Sequence, residues 1–366
     1  MPEVVYNAMV LREPYSGVEI TVHELLRAFA LYGSFAVRAY VSPDCRALPQ
    51  SPRLHVCSSR MGGSRLFRVL WEQTCLPAIL RRTRAPLLHA PAYVAPLATP
   101  CPTVLTVHDL HVMTHPQFCS AANRLHYGAL MPRSIRRAAT IIAFSDYTRR
   151  NIVRHFPEVA SRVVVIPPGV SSEFRRCEDA ARLRAVKMKY ALPDDFVLFV
   201  GDLTGRKNIG GLLSSFVRVR ERHPDLHLVL AGSPTFQNVK GRRHVHCTGY
   251  IAQADMPALY SLARVFVFPS HDEGFGLPPL EAMACGCPVV CAGGAPVENC
   301  GAAALACDAE NVGSIAEALL ALLDNIGLRR EKIVAGFQRA AAFTWEGAVR
   351  ATEDVYRNVL RGKNET

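Results

Sequence analysis

The segment 265–301 constrains the fold most, because it predicts a strand, a loop, a helix and a second strand in close succession. Its sequence is VFVFPSHDEGFGLPPLEAMACGCPVVCAGGAPVENCG. The apolar run 265–268 predicts a buried parallel strand, Pro278 and Pro279 predict a helix start, and 288–291 predicts the next strand. Units of this kind bind ligands at the carboxyl ends of their strands. We therefore expect an α/β protein with a ligand site in this loop.

Two of the carboxylates in this segment suggest what the ligand is. Glu273 lies in the loop, and Glu281 follows eight positions later, in the predicted first turn of the helix. Gly274 and Gly276 flank Phe275, so the backbone can approach a ligand, and its amides can donate to hydroxyl or phosphate oxygens. Carboxylates that accept from hydroxyls, beside amides that donate, suit a sugar or a ribose. The alternative is that Glu281 complements the helix dipole and Glu273 is a solvated charge.

The run HDEGFGLPPLEAMACGCPVV resembles the E-x7-E signature of the retaining glycosyltransferases of family 4, also called glycosyl transferases group 1. The matching positions are Glu273, Gly274, Phe275, Gly276, Pro279, Glu281, Ala282, Gly286 and Pro288. The resemblance covers most of the chain from about residue 15 to 358. It implies the GT-B fold, in which two doubly wound Rossmann-like α/β domains face a central cleft. It also implies transfer of a hexosyl group from a nucleotide sugar with retention of anomeric configuration.

Length supports two domains. A chain of 366 residues, of which 49% are apolar, fits two domains of about 150–200 residues each. The segment PPGV at 167–170 resembles the start of the family's interdomain linker. We predict an N-terminal acceptor domain at 1–175, a C-terminal nucleotide-sugar domain at 176–344, and a final helix at 345–366 that packs back on the first domain. The chain lacks a long apolar run and a signal-peptide core at its start, which predicts a cytoplasmic protein.

Charge and cysteine content narrow the partners. Residues 1–170 carry 19 arginines, no lysine and nine acidic residues, a formal charge of +10, whereas residues 171–366 carry +1. A basic surface can attract nucleic acid, an anionic membrane or a phosphorylated substrate. The hypothesis that the protein binds nucleic acid rests on net charge alone, because the sequence contains no aromatic stacking platform and no known nucleic-acid-binding module. The twelve cysteines contain no C-x2-C pair, which favours buried reduced thiols over a metal site or disulfides.

The segment 60–84, RMGGSRLFRVLWEQTCLPAILRRTR, mixes apolar bulk with arginine. An interfacial helix that lies on a membrane needs this mixture. A core helix needs the same apolar residues and is the more frequent case, so we expect core packing and keep membrane contact as an additional hypothesis.

Two residues of the first domain are candidates for the donor site. Gly17 stands where the family has a glycine loop that faces the donor diphosphate, although many relatives have more glycines there. His108 follows the predicted strand 102–107, in an H-D-L run whose histidine lies close to the donor sugar in the family. The alternatives are that Gly17 is a turn residue, and that Asp109 caps a helix while His108 is structural.

In the second domain, a buried strand at 196–200 precedes the run GDLTGRKN, in which Arg206 and Lys207 lead into a predicted helix at 209–222. Cations at a helix start oppose its dipole and need another reason to be there. In the family the matching basic pair binds the diphosphate, and Arg206 and Lys207 are assigned that role here. Tyr250 stands at the family's strand and turn that contact the base.

The resemblance assigns the remaining roles. Glu273 and the loop amides orient the sugar hydroxyls, Glu281 accepts from the ribose, and His108 and Gly17 line the donor side. The predicted donor-binding residues are therefore Gly17, Arg206, Lys207, Tyr250, Gly274, Phe275, Gly276, Leu277 and Glu281, and the predicted catalytic residues are Glu273, His108, Arg206 and Lys207. No metal or other cofactor is expected, because Arg206 and Lys207 would supply the positive charge. No catalytic base is assigned.

The whole sequence most resembles bacterial mannosyltransferases that build surface polysaccharides. GDP-mannose is thus the expected donor, with UDP-glucose and related donors as close rivals. The expected partners are this donor and a lipid-linked or saccharide acceptor, with peripheral contact to an anionic membrane through the basic domain. A GT-B sugar-nucleotide epimerase and a non-catalytic binding protein remain alternatives. The epimerase would need its carboxylates in another pattern, and the binding protein would be expected to have lost Glu273, Arg206 or Lys207.

Overall fold

A computed structural model of the protein describes residues 3–13, 15–59, 65–232 and 241–362. The chain divides into two compact units. The first unit comprises Met1–Gly169 and Thr344–Thr366, and the second comprises Val170–Phe343.

The first unit is built on one parallel sheet. Its strands are β1 (Glu3–Ala8), β2 (Ala36–Val41), β3 (Leu54–Ser58), β4 (Leu88–Ala90), β5 (Thr103–Val107), β6 (Thr140–Ala143) and β7 (Val163–Val165), in the order β3-β2-β1-β4-β5-β6-β7. Its helices are α1 (Gly17–Tyr32), α2 (Arg65–Gln73), α3 (Cys75–Thr83), α4 (His111–Thr114), α5 (Ala121–Arg137), α6 (Asp146–His155) and α14 (Trp345–Gly362). Central strands such as β5 are buried at every position, as expected for a sheet covered on both faces.

The amphipathic segment 60–84 forms two helices, α2 and α3, and its residues 60–64 lie outside the described part. Trp71 of α2 and Leu76 and Leu80 of α3 pack in the core, as expected. Leu66, Phe67 and Leu70 are instead 69%, 49% and 48% exposed. The prediction of core packing is therefore wrong for the exposed face of α2, because only one side of that helix meets the sheet.

The final helix α14 packs against α1 within the first unit. Glu353 of α14 is buried, and its Oε1 accepts from the backbone amides of Ser34 (2.5 Å) and Phe35 (2.9 Å). Its Oε2 accepts from the Ser34 hydroxyl at 2.6 Å. A buried carboxylate is tolerated where hydrogen-bond donors satisfy it in this way. These bonds fix the helix to the end of α1.

A second polar contact joins α14 to the sheet. His89, on the central strand β4, is fully buried, and its two ring nitrogens lie 2.6 Å from the Tyr356 hydroxyl and 2.8 Å from the Thr106 hydroxyl. Burial lowers the pKa of His89 to about 3, and the nearby His108 adds to this effect. The histidine is therefore neutral in the folded protein at physiological pH.

The second unit contains a six-stranded parallel sheet. Its strands are β8 (Phe196–Val200), β9 (His227–Ala231), β10 (Val245–Gly249), β11 (Val265–Phe268), β12 (Val289–Cys291) and β13 (Ala304–Ala306), in the order β10-β9-β8-β11-β12-β13. Its helices are α7 (Ala180–Lys189), α8 (Ile209–Arg222), α9 (Met256–Leu262), α10 (Leu277–Ala284), α11 (Ala295–Cys300), α12 (Val312–Asp324) and α13 (Ile326–Ala341). Both sheets are doubly wound. In each sheet the next two strands of the chain lie on one side of the first strand, and the later strands lie on its other side.

The twelve cysteines of the chain carry free thiols. Cys285, Cys287 and Cys291 are almost completely buried around β12, where they pack as small apolar side chains. Within the described ranges, no helix combines the length and the apolar character that a membrane crossing requires.

Candidate active site

The candidate site lies where the second sheet reverses its winding direction. From β8 the chain moves outward to β9 and β10, and it returns to pair β11 with the other side of β8. The carboxyl ends of β8 and β11 are therefore neighbours, and the loops that follow them, 201–208 and 269–276, lie side by side. Such a switch point is where open α/β sheets bind ligands.

Three charged side chains from these two loops contact each other. Arg206 Nη1 and Lys207 Nζ lie 2.5 and 2.6 Å from the same oxygen, Oε1 of Glu273. Arg206 Nη1 also donates to the backbone oxygen of Asp272 at 3.0 Å, and the His271 amide donates to the Arg206 carbonyl at 3.0 Å. Two cations thus share one carboxylate oxygen, and the group carries a net positive charge.

Lys207 is the most enclosed member of this group. Its residue is 9% exposed, and its ammonium lies 4.4 Å from the centre of the Phe268 ring. Burial lowers the pKa of Lys207, and the Glu273 carboxylate opposes that effect. A buried cation paired with a neighbouring carboxylate can bind an anionic ligand that takes over part of this pairing.

The backbone around the cations differs from the prediction. Gly205–Lys207 forms a 3-10 turn, and α8 begins only at Ile209. Asn208, at φ 54°, caps α8 by accepting from the Gly211 amide at 3.1 Å. The predicted helix at 209–222 is confirmed as α8, but Arg206 and Lys207 lie in the turn before it, and the Asn208 cap separates them from its start. Their pairing with Glu273, rather than the helix, offsets their charge.

The loop 274–276 turns sharply into α10. Gly276 has φ 83°, and a Cβ there would lie 2.6 Å from Pro296 Cγ, so both the dihedral angle and the space require glycine. The Phe275 ring is buried with its centre 5.6 Å from that of Phe343, and the Phe275 carbonyl accepts from Asn299 at 2.7 Å. The Phe275 ring therefore packs inside the second unit, and the backbone of Phe275 is the part that can face a ligand. Leu277 is the first residue of α10.

Glu281 occupies a different position from the one predicted. Because α10 begins at Leu277, Glu281 lies in the second turn of the helix, and the first turn contains no acidic residue. Its Oε2 accepts from the buried Tyr260 hydroxyl at 3.0 Å. The placement in the first turn is wrong by one residue, so complementing the helix dipole is not the reason for this carboxylate.

Tyr250 lies apart from the charged group. It follows β10, two strands away from β8, and is 60% exposed. Its role at the base stays a prediction.

Gly17 and His108 belong to the first unit. Gly17 is the first residue of α1, and the preceding Ser16 forms a capping box with Glu19. The interpretation of Gly17 as a turn residue is therefore wrong. A Cβ on Gly17 would have no heavy atom within 4 Å, and its φ is not left-handed. The fold of the first unit does not require glycine at this position.

His108 follows β5 and is 8% exposed. Its Nε2 lies 2.7 Å from the Pro91 carbonyl oxygen, and its ring centre lies 5.1 Å from Tyr93 and 4.5 Å from Phe144. A carbonyl only accepts, so Nε2 carries the proton. Burial lowers the pKa of His108, which keeps the ring neutral and leaves Nδ1 as an acceptor. Asp109 accepts from the His111 amide at 3.0 Å, although the N-cap of α4 is Leu110 rather than Asp109.

Two residues beside the cations were not predicted. Phe268 lies under Lys207, and Asn208 holds the turn in place by donating to the Ala309 carbonyl at 2.7 Å. The position of Asn208 directly before an apolar helical run was a usable signal for a helix cap. No comparable signal pointed to Phe268. Among the described residues, no cluster of His, Cys, Asp and Glu could hold a metal ion.

Known proteins match both units. The family described as Glycosyltransferase Family 4 matches residues 15–174, and the family described as Glycosyl transferases group 1 matches residues 186–339. The O-antigen chain mannosyltransferase B of Escherichia coli is 33% identical over 269 residues, which cover 69% of this chain and 70% of that protein. The chain belongs to glycosyltransferase family 4. This family 4 enzyme is therefore a transferase, and the family prediction is confirmed.

Other relatives of this glycosyltransferase differ in their named activity. The serotype-specific mannosyltransferase WbdA of Escherichia coli is 31% identical over 204 residues, which cover 51% of this chain but only about a quarter of WbdA. A glycogen synthase of Mycobacterium tuberculosis is 27% identical over 277 residues, which cover 72% of this chain and 65% of the synthase.

Solved structures confirm the GT-B fold of the glycosyltransferase. Anabaena HepE in complex with UDP and glucose matches 98% of this chain and all of its own, with a TM-score of 0.75 at 17% identity. WaaG, a glycosyltransferase involved in lipopolysaccharide biosynthesis, matches 96% of this chain and 99% of its own, with a TM-score of 0.73 at 15% identity.

Proposed function

We propose that this glycosyltransferase moves a mannosyl group from GDP-mannose to a lipid-linked or saccharide acceptor, with retention of configuration, in the synthesis of a cell-surface polysaccharide. The observation that carries the proposal is the cation pair of Arg206 and Lys207 on Glu273 at the switch point of the second sheet. The choice of mannose rests on the mannosyltransferase relatives, one of which is named for the O-antigen chain.

The chemistry of the leaving group explains the cations. As the bond between the anomeric carbon and the β-phosphate oxygen breaks, negative charge grows on the diphosphate. Lys207 and Arg206 stabilise that charge most strongly where water is scarce, as it is beside the buried Lys207 ammonium. The acceptor hydroxyl oxygen forms the new bond, and the departing phosphate takes its proton. No side chain is needed as a base in this reaction, because the phosphate oxygen takes the proton.

Glu273 changes partners in the proposed cycle. Before the donor binds, it balances both cations. A diphosphate that pairs with Arg206 and Lys207 weakens these contacts, so the carboxylate becomes able to accept from hydroxyls of the donor sugar. Glu281, with one oxygen bonded to Tyr260, would accept from the ribose. The sugar-nucleotide donor would also accept hydrogen bonds from the backbone amides of the loop, which belong to Gly274, Phe275, Gly276 and Leu277.

Two residues of the first unit, His108 and Gly17, would also contact the donor. With Nε2 fixed on the Pro91 carbonyl, His108 offers Nδ1 to a hydroxyl of the sugar. At Gly17 no side chain occupies the space above the backbone, which would let the diphosphate approach. Positive charge comes from Arg206 and Lys207, so we propose that the reaction needs no metal ion.

Turnover of a donor panel tests this function. The protein is incubated with GDP-mannose, UDP-glucose, UDP-galactose and ADP-glucose, with and without EDTA, and release of the nucleoside diphosphate is measured with and without mannosides as acceptors. We expect the fastest turnover with GDP-mannose and no loss in EDTA. Faster turnover of UDP-glucose would favour the rival donor, in line with the UDP and glucose in the HepE structure. Lack of turnover of every donor would overturn the proposal.

A membrane contact fits the exposed side of α2 and α3. Leu66, Phe67 and Leu70 form an exposed apolar surface on α2. Arg81, Arg82 and Arg84 are exposed at the end of α3, the helix that packs against α2. Apolar side chains beside cations suit an anionic lipid surface. We therefore propose peripheral contact with the inner face of the membrane, where a lipid-linked acceptor would be presented.

Vesicle sedimentation tests this contact. Wild-type protein and a Leu66→Ser/Phe67→Ser/Leu70→Ser variant are mixed with vesicles of phosphatidylglycerol or of phosphatidylcholine. We expect binding to the anionic vesicles that is weakened by salt and by the triple substitution. Equal binding of the variant would contradict a role for α2. The Val217→Ser variant, at an exposed apolar position on α8 of the second unit, is the matched control.

A further inference from the structure

The first sheet has its own switch point, and a polar cavity lies there. The chain leaves β1 toward β2 and β3, and it later pairs β4 with the other side of β1. Four polar residues line the cavity: Asn7 near the end of β1, Arg68 and Glu72 on α2, and His126 on α5. Val10, Ala92 and Val94 form the apolar part of its wall.

The polar groups of this cavity are enclosed. Glu72 is 7% exposed, and its Oε1 accepts from the Asn7 amide at 3.2 Å. Arg68 Nε is buried without a hydrogen-bond partner, since its 3.8 Å distance to Glu72 Oε1 is too long for such a bond. Burial raises the pKa of Glu72, although Arg68 and Asn7 oppose the effect. A buried donor left unpaired costs free energy, which a ligand that accepts from it would recover.

The charge and the volume of the cavity limit which ligands it can bind. The guanidinium of Arg68 and the carboxylate of Glu72 compensate each other, so the cavity does not favour an anion. Its volume of about 10 Å³ is roughly enough for one water molecule or one hydroxyl group. A hydroxyl both donates and accepts, and it can therefore satisfy a carboxylate and a guanidinium together.

The loop at the edge of the cavity is held in a strained conformation. Tyr93, between the lining residues Ala92 and Val94, has φ 65°, and its hydroxyl donates to Asp109 at 2.6 Å. Its ring centre lies 5.3 Å from that of Tyr127, the neighbour of His126 on α5. A non-glycine residue at positive φ costs energy, and such residues concentrate at functional sites. Aromatic rings also offer apolar surface to the C–H face of a sugar.

We propose that the cavity formed by Asn7, Arg68, Glu72 and His126 binds a hydroxyl group of the saccharide acceptor. This inference rests on the proposed transferase function, because it names the residues that position the acceptor. Glu72 accepts from the hydroxyl and Arg68 donates to its oxygen. Both act as positioning residues, and neither takes part in proton transfer.

Direct binding of saccharides tests the proposal without using the donor. Saturation-transfer NMR is recorded with the methyl α-glycosides of mannose, glucose, galactose and rhamnose on wild-type protein and on Glu72→Gln. Glu158→Gln, at an exposed residue of the first unit, is the control. We expect at least one glycoside to bind wild type and the control, and to lose about tenfold or more in affinity with Glu72→Gln. Absence of binding to wild type, or equal binding by Glu72→Gln, overturns the proposal.

Kinetics separate the acceptor site from the donor site. For Glu72→Gln we expect a KM for the acceptor saccharide raised about tenfold or more and unchanged hydrolysis of the donor without acceptor. An equal loss of donor hydrolysis would overturn the assignment. Glu72→Gln leaves the charge of Arg68 unbalanced, so Arg68→Lys serves as a second variant. The melting temperature of each variant is measured as well. Failure of wild type to turn over any donor would refute the transferase proposal, while the NMR result would still decide the saccharide site.

Discussion

Lys207 and Glu273 form a 2.6 Å ion pair between the loops that follow two adjacent strands of the second sheet. The carboxylate also contacts Arg206 at 2.5 Å through the same oxygen. A ligand with negative charge must therefore compete with Glu273 for both cations. This competition links binding of the diphosphate to the position of a carboxylate that we assign to the sugar.

Replacement of Glu273 separates these two roles. In Glu273→Gln the cations lose their competing charge, so we expect GDP to bind about tenfold more tightly, or roughly 1.4 kcal/mol. Turnover of the sugar nucleotide should fall by about 10² or more, because an interaction with the reacting sugar is lost. Calorimetric titration of GDP and steady-state turnover measure the two effects. A loss of GDP affinity would show that Glu273 supports the cations rather than competing with the ligand.

Gly17 allows a test that leaves the fold intact. The position is helical and open, so Gly17→Ala should keep or raise stability by about 0.4–1 kcal/mol. If the backbone at Gly17 approaches the donor, the added methyl group should lower its affinity about tenfold or more. Gly128→Ala is the matched control, since Gly128 lies in α5 and likewise has no atom within 4 Å of its Cβ position. Equal donor affinity in both variants would remove Gly17 from the site.

Much of the candidate site could be predicted from local sequence. The loop with Glu273 and the turn with Arg206 and Lys207 each follow an apolar run, and the carboxyl ends of parallel strands are where α/β proteins place ligands. The contact between them could not be predicted, because Arg206 and Glu273 are 67 residues apart. Their proximity depends on β8 pairing with β11, and neither strand's sequence specifies its neighbour.

The polar cavity of the first unit shows another limit. The amphipathic pattern of 60–84 predicted core packing, and Trp71 does pack in the core. The same pattern gave no reason to bury Glu72 or to place Asn7 and His126 beside it. Buried polar groups depend on tertiary partners, which a single amphipathic segment does not reveal.

His89 should make the first unit sensitive to acid. Its pKa is about 3 in the folded protein and near 6.5 when unfolded, so below pH 6.5 the unfolded chain binds the extra proton. Its contribution to the free energy of unfolding should therefore fall as pH decreases from 6.5 toward 3, by up to about 1.4 kcal/mol per pH unit.

Denaturant unfolding at pH 7 and pH 5 measures this effect. Both tryptophans, Trp71 and Trp345, lie in the first unit, so their fluorescence reports on that unit. His89→Gln keeps a polar group between Tyr356 and Thr106 without a titratable ring. We expect a smaller loss of stability between pH 7 and pH 5 in His89→Gln than in wild type. The same loss in both proteins would show that His89 does not carry the acid sensitivity.

The binding of GDP to wild type and to Lys207→Met, measured by calorimetry with and without EDTA, tests the central claim most directly. Lys189→Met is the matched control, because Lys189 pairs with Asp255 in an exposed part of the second unit. We predict that wild type and Lys189→Met bind GDP with equal affinity without a metal, and that Lys207→Met loses about 10² or more in affinity. Equal binding by Lys207→Met, or binding that disappears in EDTA for all three proteins, would contradict the assignment of the diphosphate to this cation pair.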